Sequence, residues 1–240
     1  MKKRFLSCLL FLSMAASLLP AASFAAGTAP QQAAGIWSDY AAEGWADLYD
    51  TQSEFTVCSA EDLAAFAQAV NQGRTFAGKT VILAENIDLS AHEWIPIGNC
   101  RYNAASSADP VQAHAFQGTF EGGNCTITGM QISSYNDEYG ELAGLFGYTV
   151  NAVIQNLKLE NAAVSIDMKQ LPAEGCFSCI RTAGLLASWI VGTKIQNVAV
   201  DGQLAVTVDE KFVFCGFGGA VGLADCIMTP DRMGVSVTGG

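Results

Sequence analysis

Histidine is almost missing from this chain: His92 and His114 are the only two in 240 residues. That scarcity removes the familiar routes to hydrolysis. A serine hydrolase needs a nucleophile, a base and an orienting acid held together, and no G-x-S-x-G stretch occurs. A zinc peptidase needs two histidines on one helical face with a glutamate between them. The run His92-Glu93-Trp94-Ile95-Pro96 begins that way but lacks the second histidine and carries a proline that a helix interior rejects. Basic residues are scarce too, 12 Lys and Arg against 23 Asp and Glu, a formal charge of −11. So acidic a chain repels phosphate backbones and anionic lipid, which excludes nucleic acid as a partner class. Past the N-terminus no run of 18 apolar residues occurs, so no membrane span is expected in the mature chain. Half of the residues are hydrophobic and only 15% are charged, a balance that excludes intrinsic disorder.

What is present begins with an export signal. Residues 1–26 open on Lys2, Lys3 and Arg4, continue in an apolar stretch interrupted by Ser7, Ser13 and Ser17, and finish on Ser23, Phe24 and Ala25. This pattern predicts a secretory signal peptide cleaved after Ala25 or Ala26. Cleavage removes three basic and no acidic side chains, leaving nine against 23 and a formal charge of −14. The mature chain is therefore expected outside the cytoplasm, secreted or at the cell surface, where disulfides are permitted. Of the eight cysteines only Cys8 falls in the signal, and the odd remainder requires at least one thiol that is free or paired outside the chain. Cys176 and Cys179 form a C-x-x-C and are the candidate loop disulfide. A redox or zinc role for them would need a βαβ setting or a second ligand pair, and the sequence has neither. No metal or cofactor is expected.

The chain is organised around a stretch that it writes more than once. Residues 143–161 read AGLFGYTVNAVIQNLKLEN, residues 183–202 read AGLLASWIVGTKIQNVAVDG, and residues 218–239 read GGAVGLADCIMTPDRMGVSVTG. The first elements begin at 143, 183 and 218, steps of 40 and 35; the second elements, LKLEN, VAVDG and VSVTG, begin at 157, 198 and 235, steps of 41 and 37. Within each copy an apolar run, a glycine or asparagine corner and a strictly alternating segment follow one another. Alternation of period two is the mark of a strand with one buried face. Asn161, Gly202 and Gly239 are expected to close these strands, since Gly and Asn tolerate the left-handed backbone of a turn. Short strands repeated at such a period predict a solenoid, here a parallel β-helix, because a single copy cannot bury its apolar face alone. The alternative is a β-sandwich with fortuitous self-similarity.

Ahead of the repeats, residues 27–54 form a lead-in whose Trp37, Tyr40, Trp45 and Tyr49 are expected to pin it to the edge of the core rather than to stack on sugars. Residues 55–98 read as an N-terminal cap. Its helix, 59–72, has Ser59 as N-cap with Asp62 three residues on, an apolar stripe of Leu63, Phe66, Ala67 and Val70, and Gly73 as its stop. Strands are expected at 55–57, 81–83 and 87–89, followed by WIPIG at 94–98. Residues 99–240 make up the rungs, with a polar insertion at 99–115.

The order of LAAFAQAVNQG, TFAGKTVILAENIDLS, WIPIG, FQGTFEGGNCTITGMQI and AGLFG with IQNLKLEN resembles bacterial cell-surface proteins with GLUG-type repeats, which also occur in IgA-cleaving peptidases. The likeness spans residues 55–240. It implies a right-handed parallel β-helix in a secreted or surface-displayed, adhesin-like protein, and it carries no catalytic residue onto this chain. The sequence departs from the family where Gly122-Gly123-Asn124-Cys125 replaces a GNG turn and where GGAVG replaces AGLFG. The expected function is a binding or structural module that presents its loops and side wall to an extracellular glycan or to a host or matrix protein. The candidate binding cluster is Tyr135, Asp137, Glu138, Tyr139 and Glu141, acids and rings in the loop before AGLFG. Two alternatives are a carbohydrate-active enzyme using paired carboxylates of that cluster and the repeat region of a larger surface peptidase.

Overall fold

Alternating apolar and polar residues become strands that pair in parallel throughout. The computed structural model describes residues 35–99, 114–133, 142–167, 180–207, 214–225 and 236–238. In chain order these hold a 3-10 turn at Trp37–Tyr40, β1 (Glu54–Val57), α1 (Ala60–Asn71), β2 (Thr80–Leu83), β3 (Ile87–Asp88), β4 (Thr119–Glu121), β5 (Thr126–Thr128) and β6 (Gln131–Ile132). Then follow β7 (Leu142–Ala143), β8 (Phe146–Val150), β9 (Val153–Asp167), β10 (Ile180–Ala183), β11 (Ala187–Val191), β12 (Lys194–Thr207), β13 (Phe214–Phe217), β14 (Val221–Asp225) and β15 (Ser236–Thr238). The largest sheet runs β1-β2-β4-β9-β12-β15, with β5 and β6 also beside β9 and β3 beside β5. Two smaller sheets run β13-β10-β7 and β14-β11-β8. Every ladder among the described residues is parallel.

The repeat stride of the sequence is the pairing register of the first two copies. Ala183 lies beside Ala143 and Val198 beside Leu157, the alignment that the steps of 40 and 41 require. The third copy sits differently. Ala183 pairs with Phe217, one residue ahead of the GGAVG run. Ser236 pairs with Lys194 and Val237 with Ile195, so VSVTG continues the row of KIQ rather than that of VAVDG. Period-two alternation fits either row, and only the ladder chooses between them.

Of the residues expected to close strands, Asn161 and Gly202 lie within β9 and β12 rather than at their ends, and Gly239 lies outside the described residues. β9 passes through Asn156 and Asn161, both left-handed at φ 56° and 53°, and continues to Asp167. Its buried residues are Ile154, Leu157, Leu159, Ala162, Val164 and Ile166. The spacing is three across each asparagine and two elsewhere, so each corner turns the chain while the apolar row stays inward. β12 matches β9 residue for residue except for a register shift between Val200 and Gly202. Glycine is demanded there: a Cβ on Gly202 would lie 2.3 Å from the Ala162 carbonyl oxygen.

At the N-terminal end, the Ser59 hydroxyl accepts from the Asp62 amide, and the Asp62 carboxylate accepts from the Cys58 amide at 2.9 Å. One donor of the first turn, and the amide just ahead of the cap, are thereby satisfied. At the other end Gly73 N–H donates to Val70 O and Arg74 N–H to Ala69 O, with Gly73 left-handed, a Schellman stop. The buried stripe of α1 places Phe66 edge-on to Phe76 and Phe116 and stacked on Phe120. Phe116 and Phe120 in turn meet Phe146. Residues 94–98 form no strand; Ile97 contributes a single bridge to Phe146. Asn71 holds that turn, accepting from the amides of Gly98 and Asn99 and donating to Pro96 O.

The lead-in is fastened by its aromatics. The Trp37 indole N–H donates to Leu89 O and the Trp45 indole N–H to Thr56 O. Trp45 packs on Phe55, Phe66 and Phe76. Tyr49 lies edge-on to Phe76 and receives Lys79 over its face. These rings serve packing, and Tyr40, the exposed one, stacks on His92 with centroids 3.9 Å apart.

Candidate functional site

The corner shared by β4–β5, β9 and β12 gathers the best-defined polar group on the side wall. Asn124, Asn156 and Asn197 all take left-handed backbone, at φ 61°, 56° and 50°. Asparagine occupies such positions at low cost because its short amide bonds locally. Stacked in adjacent strands, the three amides reach one another. Asn197 Nδ2 donates to Asn156 Oδ1 at 2.9 Å and lies 3.5 Å from Asn124 Oδ1. Asn156 Nδ2 donates to both carboxylate oxygens of Glu121, at 2.9 and 3.1 Å. Gln155 Nε2 and the Gly123 amide complete the set around that carboxylate, at 2.7 and 2.9 Å.

The electrostatics of Glu121 follow from this cradle. Partial burial opposes its ionisation, but the donors Asn156, Gly123 and Gln155 outweigh burial and hold the carboxyl below its ordinary value of 4.5. Beside it, Asn124, Asn156, Leu157, Lys158, Asn197 and Ala199 line a cleft of about 60 Å³. That space takes a few waters, far short of the several hundred Å³ of an ordinary small-molecule pocket. Amides, an ammonium and a carboxylate at a shallow wall suit hydrogen bonding to a hydroxylated surface. They do not form a nucleophile, base and acid relay.

Two other polar groups are buried. The Thr182 and Ser188 hydroxyls lie 2.6 Å apart, and Ser188 Oγ also donates to Thr182 O and accepts from the Ala143 amide. The Thr149 and Thr193 hydroxyls lie 2.8 Å apart in the next row. Both pairs knit neighbouring segments of the chain. No family model, curated protein or solved structure matches the chain.

The cluster singled out by sequence, Tyr135, Asp137, Glu138, Tyr139 and Glu141, lies outside the described residues, as do Cys176, Cys179 and the whole of residues 1–26. Cys58 and Cys125 are free thiols, the first exposed and the second half-buried. Among the described residues no group of three or more His, Cys, Asp or Glu is placed to hold a metal ion. No described helix is long and apolar enough to cross a membrane. Sequence reasoning passed over Glu121 and the asparagine row. Their signal was available in the recurrence of I-Q-N at 154–156 and 195–197 together with G-G-N at 122–124, three asparagines that fall at one corner of successive strands.

Proposed function

We propose that this chain is an extracytoplasmic binding or structural module of the GLUG-repeat kind, built as a right-handed parallel β-helix with α1 as its N-terminal cap. The observation that carries the reading is the ladder between β9 and β12. It runs in parallel from Val153 to Asp167, at a stride of about 41 residues, around two asparagine corners. Parallel sheets in layered α/β folds are covered by helices on both faces. Here Lys158, Glu160, Ser165 and Asp167 alternate outward to solvent along β9. A wet outer face, an apolar inner row and left-handed corners are the features of a coil stacked on itself.

Such a stack offers a long, rigid wall and little concavity. Its natural use is the display of loops and side-wall groups to a glycan or to a host or matrix protein, with the chain secreted or held at the cell surface. The test is direct. The purified protein is applied to immobilised neutral and acidic polysaccharides and to collagen, fibronectin and mucin, and binding is read by surface plasmon resonance. Saturable binding to one class, reduced by changes along the corner row, supports the reading. New reducing ends or unsaturated products in the polysaccharide samples would replace it with a carbohydrate-active enzyme.

A further inference from the structure

Of the side chains in the corner network, only Glu121 is confined to one hydrogen-bonding role. An ionised carboxylate accepts and cannot donate, whereas an amide can turn either end to its neighbour. Glu121 is held in the ionised form, because its donors keep the carboxyl below the ordinary value of 4.5. That choice then passes along the row. Asn156 must turn Nδ2 to Glu121, where it donates to both oxygens, so its Oδ1 faces Asn197. Asn197 must answer with Nδ2, which lies 2.9 Å from Asn156 Oδ1 and 3.5 Å from Asn124 Oδ1. Asn124 therefore meets the row with its oxygen, and its Nδ2 bonds no other group among the described residues.

Lys158 adds a second donor at the same place. Its side chain is exposed, lines the cleft with Asn124, Asn156 and Asn197, and makes no ion pair or hydrogen bond among the described residues. Resting on the reading of this chain as a binding module, we infer that Glu121 is a positioning residue that fixes the corner as a pair of donors, Asn124 Nδ2 and Lys158 Nζ, and that this pair reads the oxygens of a neutral glycan.

The site itself chooses that ligand. A cleft of about 60 Å³ admits groups the size of a few waters, such as the hydroxyls along a sugar edge, and no bulky side chain of a partner protein. Both free ends are donors, and hydroxyl and ring oxygens accept. An acidic glycan would also offer acceptors. It would meet the ionised Glu121 beside the cleft, on a chain whose formal charge is −11.

Surface plasmon resonance of the purified protein over immobilised mannan, xylan and laminarin tests this, with polygalacturonate and fibronectin as the acidic and protein comparisons. Saturable binding to a neutral polysaccharide is expected, tighter than to either comparison. Lys158→Gln, at an exposed position, and Asn124→Gly, which accepts the left-handed backbone, should each weaken it by about twofold to tenfold with circular dichroism unchanged. Glu121→Gln should weaken it by a similar factor, since a glutamine amide can accept or donate and no longer holds the row to one polarity. A group that acts through Asn124 has nothing left to orient once that side chain is gone, so Glu121→Gln should have little further effect in an Asn124→Gly background. No saturable binding to any of these surfaces would overturn the binding reading and this inference together. Preferred binding to polygalacturonate or fibronectin, neutral binding indifferent to Lys158→Gln and Asn124→Gly, or an undiminished effect of Glu121→Gln in the Asn124→Gly background would overturn this inference alone.

Discussion

Replacing Asn156 separates backbone strain from side-chain bonding at the corner on which β9 turns. Asn156→Ala removes the amide that donates to Glu121 and the oxygen that accepts from Asn197. Two hydrogen-bonded links at a half-buried wall contribute about 1–2 kcal/mol together, at about 0.5–1 kcal/mol each in the lower part of the usual range. Alanine must also hold φ near 56°, where a Cβ without a compensating amide adds about 1–2 kcal/mol. The total for Asn156→Ala is therefore about 2–4 kcal/mol. Asn156→Gly loses the same links but accepts the left-handed backbone freely, so its cost is about 1–2 kcal/mol. Urea unfolding followed by tryptophan fluorescence reads both as shifts in midpoint at constant slope. Alanine and glycine variants of equal stability would refute the strain argument. Two near-neutral variants would refute the whole account of the corner.

Phe116→Ala empties a fully buried ring site between Phe66 and Phe146 and is expected to lower unfolding free energy by about 3–5 kcal/mol in the same assay. Gly98→Ala places a Cβ 2.3 Å from the Tyr148 carbonyl oxygen at φ 81°; crowding and strain together should cost at least about 2 kcal/mol, read as a lower melting temperature. Glu121 ionises below its ordinary 4.5 in the folded chain, so its contribution is present above that pH and is lost as pH falls through the folded value. The stability advantage of the natural protein over Glu121→Gln should therefore be full at neutral pH and shrink in the acid range, and a pH-independent difference would contradict the assigned donors. Ser59→Ala should cost about 1 kcal/mol by removing the hydroxyl that caps α1, with Ser59→Asp restoring most of it.

Much of the architecture was legible because its signals are local. Ser59, Asp62 and Gly73 mark the ends of α1 by bonds made within one turn, and those bonds are present in the structure. The stride of 40 and 41 between the first two copies was readable because AGLFG and IQN are distinctive enough to fix one alignment. VSVTG was not. It has two valines around a serine, fits any alternating row, and was set beside VAVDG when the ladder places it beside KIQ. Information about register lies in long-range pairing, and a three-residue alternation holds almost none of it. The strand ends were misread for a related reason. Asn161 was taken as a terminator, yet there, as at Asn156, the backbone turns left-handed for one residue and the ladder resumes on the other side.

The site was harder to see because its residues have structural employment. Asn124, Asn156 and Asn197 are required by their backbone angles, so their sequence signal is that of a turn. Only the stacking of three turns at one corner converts them into a row of amides with Glu121 beside it. A cluster of acids in a loop, such as Asp137, Glu138 and Glu141, attracts the eye because charges adjacent in sequence are easily counted. Groups brought together by parallel strand pairing are instead separated by a full repeat: Glu121 lies 35 residues from Asn156, and Asn156 lies 41 from Asn197. In such a fold the search for a site has to follow the register rather than the sequence. Residues one stride apart on the same corner are neighbours, and residues adjacent in a strand face opposite sides of the wall.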